Sequence, residues 1–179
     1  MPPDDAPPTA SGADVAPIQA ALLDDPLAFL SAEHARQTAL LGHLERVARE
    51  PQARAARGIA VVLLRWLTRE LPLHVADEER SLYPRLAAFD EAGVLDELRE
   101  EHRRDRRLIA DIASGLRRIA RGGVPEPGFA EAAREFVAGH RKHLAHEETV
   151  LTPLARRWLG PEAMAALAAE MVARRQQQP

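Results

Sequence analysis

Two stretches of the sequence share one pattern: HVADEERSLYP at residues 74–84 and HLAHEETVLTP at residues 143–153. Both follow His-x-x-x-Glu-Glu-x-x-Leu-x-Pro, and they begin 69 positions apart (143 − 74). Residues four apart lie on the same face of an α-helix, one turn from each other. Each stretch therefore predicts a helix whose histidine and first glutamate point in one direction.

Two further histidines extend the repeat to the rest of the chain. His34 and His102 are 68 positions apart (102 − 34), and each follows a glutamate and shares a helix face with leucines. This spacing predicts a duplicated helical hairpin. Packing the two copies about a pseudo-two-fold axis would bring the repeated side chains into one bundle core.

The composition and the chain breaks favour long helices. The sequence after Asp25 is rich in Ala, Leu, Arg and Glu, and Asp25 with Pro26 gives a capped helix start. The breaks predict helices at about residues 25–50, 52–89, 94–121 and 129–159, and a shorter one at 162–175. Because the connections are short, we predict an all-α fold: an up-down-up-down four-helix bundle with a short extra C-terminal helix.

The predicted organisation has three parts. Residues 1–24 are expected to be a disordered N-terminal lead-in because they are rich in Pro, Ala, Gly and Asp. Residues 25–159 form the bundle, and residues 160–179 form the C-terminal helix and tail. Inside the predicted helices, prolines are expected to bend the helix or to end it early; they are Pro72, Pro84 and Pro153.

Composition excludes several classes of function. The chain of 179 residues has no cysteine, so disulfides, thiolate metal sites and cysteine nucleophiles are excluded. A net charge of −3 gives no electrostatic reason to expect nucleic acid or an acidic membrane as a partner. Without a signal-like or membrane-spanning apolar run, we expect a cytoplasmic location. The sequence gives no prediction of the oligomeric state.

The repeat predicts a metal site made of nitrogen and oxygen ligands. Its six candidate ligands are His34, His74, Glu78, His102, His143 and Glu147. Six ligands exceed what one tetrahedral zinc uses and suit two neighbouring first-row ions bridged by the carboxylates. Two imidazoles, an oxygen of each glutamate and a shared oxo or hydroxo group would fill five positions of an octahedron. The sixth would stay open to a small ligand.

The order of these six residues, with both Leu-x-Pro endings, resembles the hemerythrin-like family, specifically its HHE cation-binding branch, over about residues 25–159. The resemblance implies a non-haem diiron centre at these positions in a four-helix bundle. It also implies a role in binding dioxygen, in sensing oxygen or iron, or in handling nitric oxide or peroxide. Ligand type alone leaves zinc or manganese open as substitutes for iron.

The sequence departs from the oxygen-carrying hemerythrins at two positions. Arg106 stands where those proteins have a second third-helix histidine, and Glu147 follows His143 by four residues where they have an aspartate at five. Both differences weaken the interpretation as a reversible oxygen carrier. Arg106 stays protonated and cannot bind a cation, but it could donate hydrogen bonds to an anion or peroxide.

Neighbouring polar residues have less specific predictions. Glu79 and Glu148 project about 100° around the helix from the candidate ligands, so they are expected to face solvent or to accept hydrogen bonds rather than to bind metal. His140 lies one turn before His143 and is expected at the surface, with a pocket position as the alternative. Tyr83 is expected to serve packing, and the arginines of residues 103–107 to form exposed ion pairs.

Three classes of function follow from these observations. The favoured one is a diiron protein that binds, senses or handles dioxygen, nitric oxide, peroxide or iron, without a separate organic substrate. The second is a diiron redox enzyme, a peroxidase, an oxidase or a nitric-oxide-directed reductase, assisted by Arg106 or His140. The third is a metal-free helical adaptor, for which the histidines would be dispensable.

Overall fold

A computed structural model describes residues 23–177, and all regular elements in this range are helical. The α-helical segments are α1 (Pro26–Arg49), α2 (Ala56–Arg65), α3 (Leu71–Asp77), α4 (Tyr83–Leu86), α5 (Val94–Ala120), α6 (Phe129–His146), α7 (Thr152–Trp158) and α8 (Pro161–Gln176). The predicted all-α bundle is confirmed. Residues 1–22 of the predicted lead-in lie outside the described residues. Between residues 23 and 177, no helix combines the length and apolar character needed to cross a bilayer.

The eight α-helical segments, with the short turns between some of them, join into five helices along the described part of the chain. The second consists of α2, α3, α4 and a short 3-10 turn and spans residues 56–89; the fourth consists of α6 and α7 and spans residues 129–158. We call these the second and fourth bundle helices, with α1 and α5 as the first and third. Glu33 of α1 pairs with His74 of the second helix, and Arg36, later in α1, pairs with Glu70, earlier in the second helix. These two helices are therefore antiparallel.

Three π-helical turns accommodate the prolines predicted to disturb the helices. They are Trp66–Glu70, Glu78–Leu82 and Glu147–Leu151. Pro72, Pro84 and Pro153 are each the second residue of the α-helical segment that follows. A proline ring collides with the carbonyl four residues earlier, which in each case lies inside the π turn, where the backbone is wider. The helices therefore continue past these prolines, and the alternative of an early end is wrong.

Side-chain carboxylates stabilise the starts of two helices, α1 and α5. The Asp25 carboxylate accepts hydrogen bonds from the backbone N–H groups of Leu27 (3.1 Å) and Ala28 (2.9 Å), which confirms the predicted cap of α1. The Asp90 carboxylate accepts from the N–H groups of Val94 (2.8 Å) and Leu95 (2.9 Å) at the start of α5. These caps orient α1 and α5, which each contribute one histidine to the centre described below.

Two apolar clusters form the core. One is built around Leu40, Leu63, Trp66, Leu116 and Phe136, and the other around Leu27, Leu82, Leu98, Leu151 and Leu167. On each of the four bundle helices, the candidate ligands lie between residues of the two clusters. The polar groups are therefore flanked by water-excluding layers, where electrostatic interactions are strong.

The packing of Gly115 gives a prediction about stability. A Cβ atom on Gly115 of α5 would collide with the ring of Phe129, whereas nothing lies within 4 Å of a Cβ on Gly139 of α6. Gly115→Ala is expected to lower the free energy of unfolding by about 1–3 kcal/mol through overpacking. Gly139→Ala, the control, is expected to raise it by roughly 0.5–1 kcal/mol because alanine favours the helix. Urea unfolding measures both, and equal effects of the two variants would contradict this account of the packing.

Candidate metal centre

The structure brings together all six residues that the sequence analysis singled out. They form two groups of four buried side chains: His34, His74, Glu78 and Glu147 in one, and Glu78, His102, His143 and Glu147 in the other. Within each group the potential ligand atoms lie within 4.8 Å of one another. The two glutamates belong to both groups. Each histidine belongs to one.

The two glutamates occupy bridging positions. Oε1 of Glu78 lies 3.1 Å from Nε2 of His74, and Oε2 of the same carboxylate lies 3.5 Å from Nε2 of His102 in the other group. Oε2 of Glu147 lies 3.3 Å from Nε2 of His34 and 3.3 Å from Nε2 of His143. Both glutamates begin π-helical turns, so the local widening of the helix lies at the residue that joins the two groups.

Four outer glutamates orient the four imidazoles. The Nδ1–H groups donate to carboxylates in four bonds: His34 to Glu148 (2.6 Å), His74 to Glu33 (3.0 Å), His102 to Glu79 (3.0 Å) and His143 to Glu101 (2.8 Å). A carboxylate can only accept here, so each ring carries its proton on Nδ1. In the neutral form of each imidazole the Nε2 lone pair is then directed at the centre, as in metal-bound histidines.

The outer ring was only partly predicted. Glu79 and Glu148 accept hydrogen bonds from histidines, which is one of the two predicted alternatives. Glu33 and Glu101 were not predicted as partners. Each precedes a candidate histidine in sequence but bonds to a histidine of the neighbouring helix. The recurring Glu-His dipeptide was the signal that could have found them.

Unpaired atoms at the centre test whether a cation fits. Buried atoms without a hydrogen-bond partner include Nε2 of His34 and His74, both carboxylate oxygens of Glu78 and Oε2 of Glu147. Nε2 of His102 faces Nε2 of His143 at 3.0 Å. Two nitrogens bound to one octahedral ion at about 2.1 Å each lie about 3 Å apart when they are neighbours in its coordination sphere. The donor set therefore fits cations, which would satisfy atoms that are otherwise costly to bury.

The acid–base properties of the centre also indicate that it attracts positive charge. Burial acts to lower the pKa of His34, but hydrogen bonds to Glu148 and Glu78 and the charge of Glu147 outweigh it and raise the pKa to about 9. Burial and the nearby charge of Glu78 raise the pKa of Glu147 to about 7. In both cases the protonated form is favoured. A bound cation would displace these protons.

The expectation that His140 lies at the surface is wrong. Its side chain is 1% exposed. Its Nδ1 lies 2.7 Å from a carboxylate oxygen of Asp105, and its Nε2 lies 2.7 Å from the side-chain amide of Gln37. Its ring stacks on Phe136 at a centroid distance of 5.0 Å. Burial is tolerated because both ring nitrogens have partners.

Tyr83 does more than the predicted packing. It lies in the second apolar cluster, as expected, but its hydroxyl also donates a 3.0 Å hydrogen bond to Oε1 of Glu147. Thr152 is its counterpart in the other repeat, so this bond breaks the symmetry of the centre. Among the arginines predicted to be exposed, Arg103 pairs with Glu100, and Arg106 lies 3.7 Å from Glu79.

Comparison with protein-family models matches residues 25–155 to the Hemerythrin HHE cation binding domain. The match covers 131 of the 179 residues (155 − 25 + 1) and includes all six residues of the centre. A comparison with curated proteins gives no match. Since the family model covers most of the chain and its cation-binding character agrees with the buried His/Glu groups, the chain belongs to the hemerythrin family as a helical cation-binding protein.

Proposed function

We propose that this chain holds a non-haem diiron centre and uses it to bind, sense or handle a small ligand such as dioxygen, nitric oxide or peroxide, or iron itself. The observation that carries the proposal is the pair of four-residue groups that share Glu78 and Glu147. We further propose that the protein acts in the cytoplasm, with neither nucleic acid nor a membrane as partner.

The geometry supports two ions rather than one. Each group has its own pair of imidazoles, and the oxygens of Glu78 face different groups. A single ion in the His102 and His143 group would leave the buried Nε2 atoms of His34 and His74 without a hydrogen-bond partner. A single ion in the other group would leave two buried imidazole nitrogens facing each other at 3.0 Å. Six carboxylates, two in the groups and four in the outer ring, supply negative charge for more than one multivalent cation.

Ligand chemistry supports iron. Imidazole and carboxylate suit Fe, Mn and Zn, but structural zinc sites are usually closed tetrahedra. Each group supplies four ligands, and a shared oxo or hydroxo group would add a fifth, which suits an octahedral iron with an open position better than a closed tetrahedral zinc. Iron would supply redox chemistry and Lewis acidity towards a small ligand. The protein's own residues hold the ions, orient the imidazoles through the outer glutamates and place the Tyr83 hydroxyl beside Glu147.

Elemental analysis tests the proposal. Protein purified anaerobically from an iron-supplemented host is expected to contain two iron ions per chain and to show near-ultraviolet charge-transfer absorption after oxidation. The variant with His74→Ala and His143→Ala removes one histidine from each group and is expected to lose both signals, since each imidazole is a ligand of one ion. Exposure of the reduced protein to dioxygen, nitric oxide or peroxide should then give a reversible adduct.

Three results would contradict parts of the proposal. Unchanged metal content and stability in the double-histidine variant would favour the metal-free adaptor. A single zinc ion per chain would exclude the diiron centre. Sustained turnover of peroxide or nitric oxide, in place of a reversible adduct, would assign the protein to the redox enzymes.

A further inference from the structure

A cleft of about 200 Å³ opens between the second bundle helix and α5. Its wall is mainly apolar and includes Leu71, Val75, Ala76 and Ile109. Among the six residues of the candidate metal centre, His102 lines the cleft, and the other five do not. The cleft therefore meets the centre on the side of the group formed with His102 and His143.

The two hairpins differ in sequence at positions that line the cleft. The repeat places Leu144 at the position equivalent to Val75 and Ala145 at the position equivalent to Ala76 (75 + 69 and 76 + 69). Leu144 is 4% exposed and belongs to the apolar core, whereas Val75 is only partly buried beside the cleft. The shorter valine leaves space that the additional methylene of leucine would occupy.

The charges around the cleft indicate what kind of molecule it accepts. Asp105 is paired with His140 at 2.7 Å, and Glu79 with His102 at 3.0 Å, so these wall carboxylates already have partners. Two arginines also line the cleft, Arg80 and Arg106, and both are exposed to solvent. Arg106 lies 3.7 Å from Glu79. An ionised ligand would lose hydration inside the cleft without gaining a buried partner of opposite charge, which is unfavourable. An uncharged ligand loses little hydration free energy when it enters the cleft.

We infer that this cleft is a binding site for a small, uncharged, mainly apolar molecule, of a size between xenon and benzene, beside the His102 and His143 group. The volume supports this size, because a protein cavity of about 150 Å³ lined by apolar side chains is enough for benzene or xenon. The binding itself is independent of the metal. Only the role of the cleft as the side from which a ligand reaches the centre rests on the proposed function.

Xenon is the probe for the test. Methyl resonances of the full-length chain, in its metal-free and zinc-loaded forms, are followed by NMR as the xenon pressure rises. Saturating shifts are expected at the methyl groups of Leu71, Val75 and Ile109. Ala76→Leu is expected to weaken xenon binding about fivefold, because the larger side chain takes up apolar contact area inside the cleft. Ala145→Leu, at the equivalent position of the other hairpin, is the control and should leave xenon binding unchanged.

A second variant and a second measurement keep the test decisive. If Ala76→Leu does not fold, Val75→Leu takes its place. This substitution introduces the residue found at the equivalent position of the other hairpin, and it should also weaken xenon binding. Benzene should compete with xenon for the same methyl groups. Xenon shifts confined to other parts of the core, or equal binding by both alanine variants, would overturn the inference. The iron content of the same samples is measured separately, so a chain that binds xenon here but no iron would contradict the proposed function alone.

Discussion

Glu78→Gln is expected to lower the iron content from two ions per chain to less than one. Glu78 is 1% exposed, its two oxygens face different groups, and both oxygens are without a hydrogen-bond partner. The substitution keeps the size of the side chain but removes the charge and replaces one oxygen by an amide that binds metal poorly. Because Glu78 belongs to both groups, this single change affects both ions, whereas His74→Ala should affect mainly one.

The adjacent Glu79 provides the control. Glu79→Gln changes the same chemistry one residue later, at a side chain that is 28% exposed and bonds to His102 rather than pointing at the centre. It is expected to retain metal and to weaken its binding by about 10–100-fold, as is usual for partners of metal-bound histidines. Metal titration with elemental analysis of both variants measures the difference. Equal metal loss in the two would show that Glu78 does not bridge two ions.

The variant with Arg174→Ala and Arg175→Ala is expected to lose about 3–5 kcal/mol of the free energy of unfolding. Both arginines belong to α8 and pair with Asp77, which is 0% exposed; Nη1 of Arg175 lies 2.7 Å from Oδ2 of Asp77. Burial raises the pKa of Asp77 even though both arginines act to lower it. Without them the carboxylate would be buried and uncompensated.

Two comparisons separate this effect from a general loss of α8 packing. Adding Asp77→Asn to the double-arginine variant should restore part of the lost stability, because the uncompensated charge is removed. Arg156→Ala, which removes an exposed pair with Asp25 at 3.6 Å, should cost less than about 1 kcal/mol. Denaturant unfolding measures all three. If Arg156→Ala proves as destabilising as the double variant, the buried charge is not the cause.

One of these two arginines, Arg175, also links α8 to the candidate metal centre. Nη2 of Arg175 lies 3.7 Å from Oε2 of Glu33, and that oxygen accepts the hydrogen bond of His74. The helix α8 lies beyond residue 155, where the family match ends. The double-arginine variant should therefore also bind metal more weakly, since Glu33 loses a positively charged neighbour that helps to hold it against His74.

The helix boundaries were largely predictable because they depend on local sequence. The predicted first helix at about residues 25–50 corresponds to Pro26–Arg49, and the predicted third at about 94–121 corresponds to Val94–Ala120. Caps and glycines act within a few residues of a helix end, so the linear sequence is enough to recognise them. The π turns were not predicted. The prolines showed where the helices would be disturbed. Whether a helix ends there or continues through a wider turn depends on what the residues after the proline pack against.

The duplicated hairpin and the six side chains on the inward helix faces were predictable from the chain alone, because the period of a helix sets the direction of each residue relative to the helix axis. Three features depend on how the helices pack together: which outer glutamate bonds to which histidine, the burial of His140 between Asp105 and Gln37, and the hydrogen bond from Tyr83 to Glu147. The position of the cleft beside His102 depends on the same packing. These features join different helices, and the contacts between helices follow from how their side chains interlock in three dimensions, which the periodicity of a single helix does not specify.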